Sequence, residues 1–295
     1  MTDQPLVSIV TPSLNQCAFL GQTLDSIAAQ DYPRVQMIVV DGGSTDGSVE
    51  LISAFARKRP GSVRWVSEPD RGQADAINKG FAMADGDIVT WLNADDAYVF
   101  RRTLGEVVAA FQAHPDADVI YGDVAIISSD NRLLRVQCIA PFSYGRLLRG
   151  CYLSQPAVFW RRKVMMEERL DATLRFVMDY EYWLRLGRRY RFLYVPRLWA
   201  ADRNHPSRKM LAHRQELIVE GHDVLRRCGQ SFGVAYGLLR LGDKLRYGLP
   251  SRVRGLGIML RLRRQSGEGL AIPLRHEALA IALVKQLWTK NRDVR

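Results

Sequence analysis

The fold is decided by Ile88-Val-Thr-Trp-Leu-Asn-Ala-Asp-Asp96, an apolar run that ends in two adjacent carboxylates. The run from Ile88 to Leu92 predicts a buried strand, so Asp95 and Asp96 fall in the turn after it. Carboxylates there would repel a diphosphate by about 4 kcal/mol for each charge pair roughly 4 Å apart at an effective dielectric constant of about 20. A bridging Mg²⁺ or Mn²⁺ would reverse that repulsion, because both ions bind oxygen ligands beside phosphate. The competing interpretation is a pair of helix caps before residues 101–111.

Upstream of this strand, β-branched runs alternate with helix-like segments. The strand candidates there are residues 7–11, 35–40 and 63–66. This alternation predicts an α/β fold with a Rossmann-like, mostly parallel sheet flanked by helices, in which ligands bind at the carboxyl ends of the strands. Downstream, residues 119–127 are closed by the turn-like Ser129-Asp130-Asn131 and predict a mixed or antiparallel part of the sheet. Further strand candidates lie at 157–160 and 192–195.

Small polar residues follow the first two strand candidates, where a parallel sheet places its ligands. Asp41 comes directly after the second strand, and its carboxylate can accept the N–H of a nucleotide base. Capping of the next helix explains Asp46, in the same Gly-rich turn, well. The candidates for the other side of a base pocket are Thr11, Pro12, Ser13 and Asn15. A loop with a helix cap explains residues 11–15 equally well.

A third polar segment, residues 70–80, begins as a turn and continues as a helix. Arg71 and Lys79 could offset phosphate charge, and Gly72 would permit close approach of the backbone. Asn78 is a further polar candidate in this segment. A solvated surface helix would produce a similar string, so this segment is weak evidence when taken alone.

Two segments far downstream hold candidates for proton transfer and for charge neutralisation. Asp179 lies near the start of the helix-like 178–186 and is either a cap or a general base, whereas Glu181 falls on a different side of that helix. Arg203 follows a strand candidate and could neutralise a departing diphosphate. His205 could bind metal or phosphate, with a buried structural histidine as the alternative.

Taken together, these strings resemble the inverting glycosyltransferase family 2, whose members have the GT-A fold. The resemblance covers roughly residues 6–207 and rests on VSIVTPSLN (7–15), VDGGSTDGS (40–48), EPDRGQADAINKGF (68–81), DGDIVTWLNADD (85–96) and MDYEYWLRL (178–186). It implies transfer of a sugar, with inversion, from a UDP-, GDP- or dTDP-sugar to an acceptor hydroxyl. The expected acceptor is a carbohydrate or a lipid-linked glycan in the assembly of a cell-surface polysaccharide.

The resemblance also implies roles for single residues. Asp95 would ligate Mn²⁺ or Mg²⁺ as the last residue of the family's D-x-D motif, and Asp179 would be the catalytic base. Asn93 stands where that motif begins with Asp, so it would contact ribose or metal-bound water, and Met178 stands where many members carry Glu. His205 is the second expected metal ligand. The expected nucleotide-sugar site consists of Thr11, Pro12, Ser13, Asn15, Asp41, Arg71, Gly72, Asn78, Asn93, Asp96 and Arg203.

The chain carries a net charge of +11, and the excess lies in its last part. Residues 208–295 hold 18 Lys and Arg against 7 Asp and Glu, which predicts a basic helical extension after a catalytic domain at 1–207. Its first helix is predicted by apolar residues spaced seven apart, namely Met210, Leu217 and Val224 and, beside them, Leu211, Ile218 and Leu225. Two later stretches, 252–264 and 274–288, are also compatible with helix. We expect the extension to contact an anionic membrane surface and not nucleic acid, with a solvated helical face as the alternative.

Cysteine usage and the N-terminus bear on the location of the protein. The four cysteines lie far apart with no C-x-x-C spacing, which indicates neither a zinc site nor a disulfide framework. The N-terminus lacks the basic start and the long apolar core of a signal peptide, and no uncharged apolar run is long enough to span a bilayer. We therefore expect a cytoplasmic protein that is peripheral on the inner face of the plasma membrane.

Two other functions compete with sugar transfer. A sugar-phosphate nucleotidyltransferase would share the nucleotide-binding fold and the metal-binding acid, but it should show a Gly- and Arg/Lys-rich loop near its N-terminus. Residues 7–16 hold no such loop. A catalytically inactive protein that binds a nucleotide sugar or a polyanion would show binding without turnover.

Overall fold

A computed structural model describes residues 4–206, 208 and 213–229. In this part of the chain the strands are β1 (Val7–Ser13), β2 (Val35–Asp41), β3 (Val63–Ser67), β4 (Ile88–Trp91), β5 (Ala97–Tyr98), β6 (Val119–Ser128), β7 (Leu133–Gln137), β8 (Val158–Arg161) and β9 (Phe192–Asn204). They form one sheet in the order β3-β2-β1-β4-β8-β6-β9-β5, and β7 pairs with β6. Every strand predicted from the sequence is present.

The first four strands form the parallel half of the sheet. β1 lies between β2 and β4, and β2 pairs with β3, all in parallel. Every residue of β1 and β4 is buried. Near-continuous apolar runs have this property when both faces of a parallel sheet are covered, so the predicted α/β arrangement is confirmed here.

The other half of the sheet is mixed. β8 runs antiparallel to β4 and to β6, and β7 is antiparallel to β6. The long β9 is parallel to β6, while β5 pairs antiparallel with β9. The mixed region predicted around residues 119–127 is confirmed, and the part of the sheet in which all pairs are parallel is limited to β1 through β4.

Helices cover both faces of this sheet. They are α1 (Cys17–Ala28), α2 (Ser48–Arg57), α3 (Gln73–Met83), α4 (Thr103–Ala113), α5 (Tyr144–Leu147), α6 (Arg162–Glu167), α7 (Met178–Leu186) and α8 (Arg214–Arg227), with a 3₁₀ turn at Gln155–Ala157. Successive residues of β1 point to opposite faces. Ile9 joins the core beneath α1 and α4, and Val10 joins the core beneath α3 and α7.

An aromatic cluster ties α7 to the centre of the sheet. The ring of Trp183 on α7 stacks on Trp91 of β4, with centroids 5.5 Å apart and planes 6° apart. Trp160 of β8 packs against both rings in edge-on geometry, and all three side chains are fully buried. Because β4 leads directly into the acidic turn, this packing fixes α7 relative to that turn.

The described part of the basic extension is α8, and it packs on the body of the molecule. Val224 and Leu225 are buried in the same core as α7, and Leu217 packs against that core. Ile218 is 45% exposed. The predicted helix and its apolar face are therefore confirmed for three of these four positions.

Other features of the extension lie outside the described residues, namely Met210, Leu211 and the stretches 252–264 and 274–288. The domain boundary between 207 and 208 stays a prediction. Among the helices that the structure describes, none has the length and apolar character needed to cross a membrane.

Candidate functional site

The carboxyl ends of the parallel strands lie side by side at the candidate site. In register, Ser13 of β1 pairs with Asp41 of β2, and Asp41 pairs with Ser67 of β3. The buried Asp41 carboxylate accepts hydrogen bonds at Oδ2 from the N–H groups of Gly43 (3.0 Å) and Ser44 (2.8 Å) and from the Ser67 hydroxyl (2.7 Å). Oδ1 accepts from the Ser44 hydroxyl at 2.5 Å. Oδ1 therefore holds fewer protein partners than Oδ2.

The loop after β1 is locked to the loop after β2 by Asn15, which has a left-handed φ of 53°. Its backbone N–H donates to the Ser44 hydroxyl at 2.8 Å, and its side-chain oxygen accepts from the N–H of Thr45 at 2.9 Å. Asp46 accepts from the N–H groups of Cys17 (2.8 Å) and Ser48 (3.1 Å), the first residues of α1 and α2. Asn15 thus shapes the pocket, and the capping interpretation of Asp46 is confirmed.

The other predicted residues of the first loop are buried at the end of β1. Thr11 is 1% exposed and Pro12 is buried beside it. Ser13 is also buried, and its Oγ has no hydrogen-bond partner among the described residues. A buried hydroxyl left unpaired costs about 1–3 kcal/mol, so a ligand group that reached Ser13 would relieve that cost.

The segment at the start of α3 places its predicted residues in different surroundings. Arg71 is exposed and pairs with Asp75 at 2.8 Å, and Gly72 has a φ of 123°, which favours glycine. Asn78 instead binds the backbone of Leu170, donating to its carbonyl at 2.9 Å and accepting from its N–H at 3.1 Å. The Asn78 amide therefore holds a loop, and its role in nucleotide-sugar binding stays a prediction.

The acidic turn is supported by residues from three elements. The Thr23 hydroxyl of α1 contacts two backbone carbonyls of the turn at 2.8 and 2.7 Å. Asn93 accepts from Gln73 of α3 at 2.8 Å and donates to Asp96 at 3.3 Å. The Asp96 carboxylate is buried and also accepts from the backbone N–H of Arg203 at 3.1 Å. Asp96 thus supports the turn from inside, and its direct contact with a nucleotide sugar stays a prediction.

Strand pairing brings His205 beside Asp95. β5 follows the turn and runs antiparallel to β9, with Ala97 opposite Ala201, so residues just before β5 meet the end of β9. The buried His205 places Nε2 at 3.0 Å from Asp95 Oδ2. Neighbouring ligands of an octahedral ion with bonds of about 2.1 Å lie roughly this far apart. The pair therefore fits a divalent cation by spacing and by donor type.

Arg203 is enclosed by the protein. Its side chain is 1% exposed, and its guanidinium lies 5.0 Å from the centroid of the Phe19 ring. It donates to the carbonyls of Asp95 (2.8 Å), Ser128 (3.3 Å) and Ser129 (3.3 Å) and to the side-chain oxygens of Asn131 (2.5 Å) and Gln22. Burial lowers the pKa of Arg203. All three guanidinium nitrogens are bound within the protein, so Arg203 supports the site from inside, and its role beside a departing diphosphate stays a prediction.

A different arginine, Arg208, lies among the carboxylates of the site. It forms an ion pair with Asp202 at 2.7 Å, and its charge also acts on Asp95, Asp96 and Asp179. Burial raises the pKa of Asp96 well above its usual range, and the charges of Asp95 and Asp202 add to that rise. In the sequence, Arg208 is one cation among many in the basic extension, so no local signal singles it out.

Asp179, the predicted base, lies half-buried in the first turn of α7. Burial raises its pKa above the ordinary value for an aspartate, while backbone hydrogen bonds and the charge of Arg208 oppose the rise. Glu181 in the same turn is bound to Arg185 at 2.9 and 2.8 Å. Met178 is buried in the core. The structure thus separates the two carboxylates of this turn, with Asp179 facing the charged groups of the site.

Gln155, in the 3₁₀ turn before β8, is a polar residue of the site that the motifs do not cover. Its amide nitrogen donates to the carbonyl of Trp91, at the end of β4, at 2.6 Å. Its amide oxygen is buried and has no hydrogen-bond partner within the described part of the chain. The only sequence signal is the short string Ser154-Gln155-Pro156 between apolar residues. An unpaired buried oxygen beside the acidic turn is suited to a ligand hydroxyl.

Similarity to known sequences covers the part of this site that lies within residues 8–192. A family model described as Glycosyl transferase family 2 matches residues 8–192. A "PGL/p-HBAD biosynthesis glycosyltransferase" of Mycobacterium bovis is 35% identical over 158 residues, which cover 54% of this chain and 60% of the relative. An uncharacterized glycosyltransferase of Mycobacterium tuberculosis is 35% identical over 154 residues, covering 51% of this chain and 56% of that protein. The chain thus matches less than two thirds of the length of either relative.

Solved structures share the fold. The mannosyltransferase PcManGT from Pyrobaculum calidifontis, in complex with GDP-Man and Mn²⁺, has a TM-score of 0.60 at 19% identity and covers 100% of this chain and 89% of its own. TarS 1-349 of S. aureus, in complex with UDP-GlcNAc, has a TM-score of 0.60 at 18% identity, with coverages of 88% and 78%. These likenesses confirm the expected GT-A type of architecture. Since the family model spans more than half of the residues, the chain belongs to glycosyl transferase family 2.

Proposed function

We propose that this protein transfers a sugar from a nucleotide-diphosphate sugar to an acceptor hydroxyl, with inversion, in the assembly of a polysaccharide or a lipid-linked glycan. The observation that carries the proposal is that the residues suited to a cation and the residues around Asp179 lie in one charged cluster. Asp95 and His205, which contact each other at 3.0 Å and have donor types that suit a cation, lie in the same charged cluster as Asp202 and Arg208, whose charges act on Asp179. The ligands of the two solved relatives and the printed names of the sequence relatives support it.

The nucleotide would bind at the ends of β1 and β2. Oδ1 of Asp41 would accept a base N–H, the unpaired hydroxyl of Ser13 would gain a partner, and the exposed Arg71 would reach a phosphate. Uracil, guanine and thymine all present a ring N–H to such a carboxylate. The donor therefore belongs to the UDP, GDP or dTDP sugars.

The cofactor we propose is Mn²⁺ or Mg²⁺, held by Asp95 and His205. In the described ranges no group of three or more His, Cys, Asp or Glu is placed to hold a metal ion. Diphosphate oxygens and water would supply the other ligands, as is usual for these ions at phosphate sites. When bound, the ion offsets the negative charge that develops on the departing diphosphate.

Asp179 would act as the base and Arg208 as a protein cation for the leaving group. The acceptor oxygen attacks the anomeric carbon on the face opposite the nucleotide, its proton passes to the Asp179 carboxylate, and the bond from that carbon to the diphosphate oxygen breaks. Arg208 would take this role because it is held beside the acidic turn by Asp202. Gln155 would contact a sugar hydroxyl through its unpaired oxygen.

The test is to incubate the protein with a panel of UDP-, GDP- and dTDP-sugars, with Mn²⁺, with Mg²⁺ or with EDTA, and to measure nucleotide release. We expect release with one donor class, its loss in EDTA, and its loss in Asp179→Asn. Turnover that persists in EDTA would remove the metal from the proposal. Donor binding without turnover by the unmodified protein would favour the inactive binder instead.

We further propose that residues 208–295 bring the enzyme to the inner, anionic face of the plasma membrane, where a lipid-linked acceptor would lie. The support is the charge of this segment, 18 Lys and Arg against 7 Asp and Glu, since each basic residue near such a surface contributes about 1 kcal/mol. The full chain should co-sediment with phosphatidylserine vesicles and not with phosphatidylcholine vesicles. Equal sedimentation with both would contradict this part of the proposal.

A further inference from the structure

The loop that leads into α7 is held by a carboxylate from the basic extension. Glu220 of α8 accepts hydrogen bonds from three consecutive backbone N–H groups, those of Arg175 (2.7 Å), Phe176 (2.7 Å) and Val177 (2.8 Å). Hydrogen bonds to an ionised acceptor are roughly twice as strong as neutral ones. Consecutive N–H groups that converge on an anion also form a nest, a known anion-binding conformation.

Other contacts from α8 reach the same loop. The ring of His213, just before α8, lies 5.3 Å from the ring of Phe176. Arg227, at the end of α8, pairs with Asp171 at 3.3 Å. Between them, Val224 and the residue after it are buried in the core that includes α7. The loop therefore has α8 along its length, with Glu220 at the point where it enters α7.

We infer that Glu220 is a positioning residue for Asp179. Val177 precedes the first residue of α7, and Asp179 is the second residue of that helix, so the bonds to Glu220 hold the backbone directly before the base. The body of α7 is fixed separately by the stacking of Trp183 on Trp91. Glu220 thus holds the backbone that enters the first turn of α7, in addition to the burial of Met178 and Tyr180 on either side of Asp179. This inference rests on the proposed role of Asp179.

Positioning of the base makes a different prediction from general support of the fold. The nucleotide pocket lies at Ser13 and Asp41, at the ends of β1 and β2, and Glu220 binds the backbone before α7. Loss of Glu220 should therefore leave donor binding intact. A misplacement of about 1 Å in a reacting group costs up to about 100-fold in rate, so we expect kcat to fall by about 10- to 100-fold in Glu220→Ala.

The experiment uses the full chain and three variants. Glu220→Ala removes the acceptor, and Glu220→Gln keeps the volume and one of two acceptor oxygens, so its kcat should lie between those of the alanine variant and the unmodified protein. Asp223→Asn is the matched control, because Asp223 lies on the same helix, is 47% exposed and pairs with the surface residue Arg226. The readouts are kcat, donor KM, calorimetric affinity for the nucleoside diphosphate and melting temperature. A further readout is the acid limb, the part of the pH profile in which kcat falls as the pH is lowered.

The midpoint pH of the acid limb is a useful readout, because a loss of stability alone would not shift it. The charged and titratable groups that act on Asp179 are Asp202 in β9, Arg208 after β9 and Cys151 in the loop before the 3₁₀ turn. A base released from this environment should titrate nearer to an ordinary aspartate, so the acid limb in Glu220→Ala should move to lower pH. In Asp223→Asn it should not move.

Lower kcat with donor KM and nucleotide affinity within about twofold of the unmodified protein, together with the moved acid limb, supports the inference. Unchanged kcat in a folded Glu220→Ala overturns it. Equal losses of kcat and nucleotide affinity, both recovered on cooling, also overturn it, because they show general support only. If Glu220→Ala does not fold, the same criteria apply to Glu220→Gln. An unmodified protein without turnover on any donor contradicts the proposed function itself, which a wild-type assay shows before any variant is made.

Discussion

Arg203→Ala should lower the stability of the protein before it affects chemistry. The side chain is 1% exposed and donates five hydrogen bonds within the protein. Three of these bonds share the two N–H groups of Nη1, so four N–H groups are engaged, and at a net of about 0.5–1.5 kcal/mol each they amount to about 2–6 kcal/mol. We expect a loss of about 3–5 kcal/mol, which lowers the melting temperature by roughly 6–20 °C for a domain of this size.

The assay is thermal unfolding followed by circular dichroism, with nucleotide release measured well below the lower melting temperature. Arg208→Ala is the matched comparison, because the Arg208 side chain is 27% exposed and forms an ion pair with Asp202. Because Asp202 is buried, removal of its partner should also lower stability, by up to about 3–5 kcal/mol, so the comparison is made on kcat of the folded variant, which should fall about 10- to 100-fold. A folded Arg203→Ala that melts within about 2 °C of the unmodified protein and has lost turnover would refute the structural assignment of Arg203.

Further predictions concern the base Asp179, the pair of Asp95 and His205, and Asn78. Turnover should fall on the acid side with a midpoint above the ordinary aspartate pKa of about 3.9, because burial raises the pKa of Asp179 and the base works when ionised. For the same reason the folded state loses stability as pH rises through that pKa, so Asp179→Asn should melt higher than the unmodified protein at pH 7 and not at pH 3; a lower melting temperature at pH 7 would contradict this. Asp95→Asn and His205→Gln should each raise the Mn²⁺ concentration needed for half-maximal nucleotide release, and metal titration curves that overlay the unmodified protein's would count against the pair. Asn78→Ala should lose about 1–3 kcal/mol in chemical unfolding, since it breaks two hydrogen bonds to Leu170, with donor KM unchanged; the reverse pattern would support its predicted nucleotide role.

Local pattern was enough to predict where the site would lie. The strand before Asp41 and the strand before Asp95 are near-continuous apolar runs, and a parallel sheet brings the residues after such runs to one edge. The structure puts Ser13, Asp41 and Ser67 in one register there. The predicted helix over 178–186, with Asp179 near its start, was likewise a local property, because its aromatic and leucine positions are spaced to be buried on one helix.

Partner identity could not be predicted in the same way. Arg203 and Arg208 look alike in the sequence, yet one is bound to Gln22, 181 positions away, and the other to Asp202. Asn78 lies in a segment that suits a phosphate site, but its partner Leu170 is 92 positions away. A polar side chain at the edge of a sheet is available to a ligand only if distant parts of the chain leave it free, and those parts are fixed by tertiary packing.

For the basic extension, too, the sequence pattern did not predict the tertiary contacts. Its charge separates it from residues 1–207 in composition, whereas its packing does the opposite, since Val224 and Leu225 are buried with α7 and Glu220 holds the entry to that helix. Burial of two such side chains contributes about 3–6 kcal/mol. A chain cut after 207 would therefore lose stability and base positioning together, and its failure to bind vesicles or to turn over would say nothing about the membrane. Charge reversal within 230–295 leaves α8 in place, so it separates the contribution of the basic surface from the contribution of Glu220.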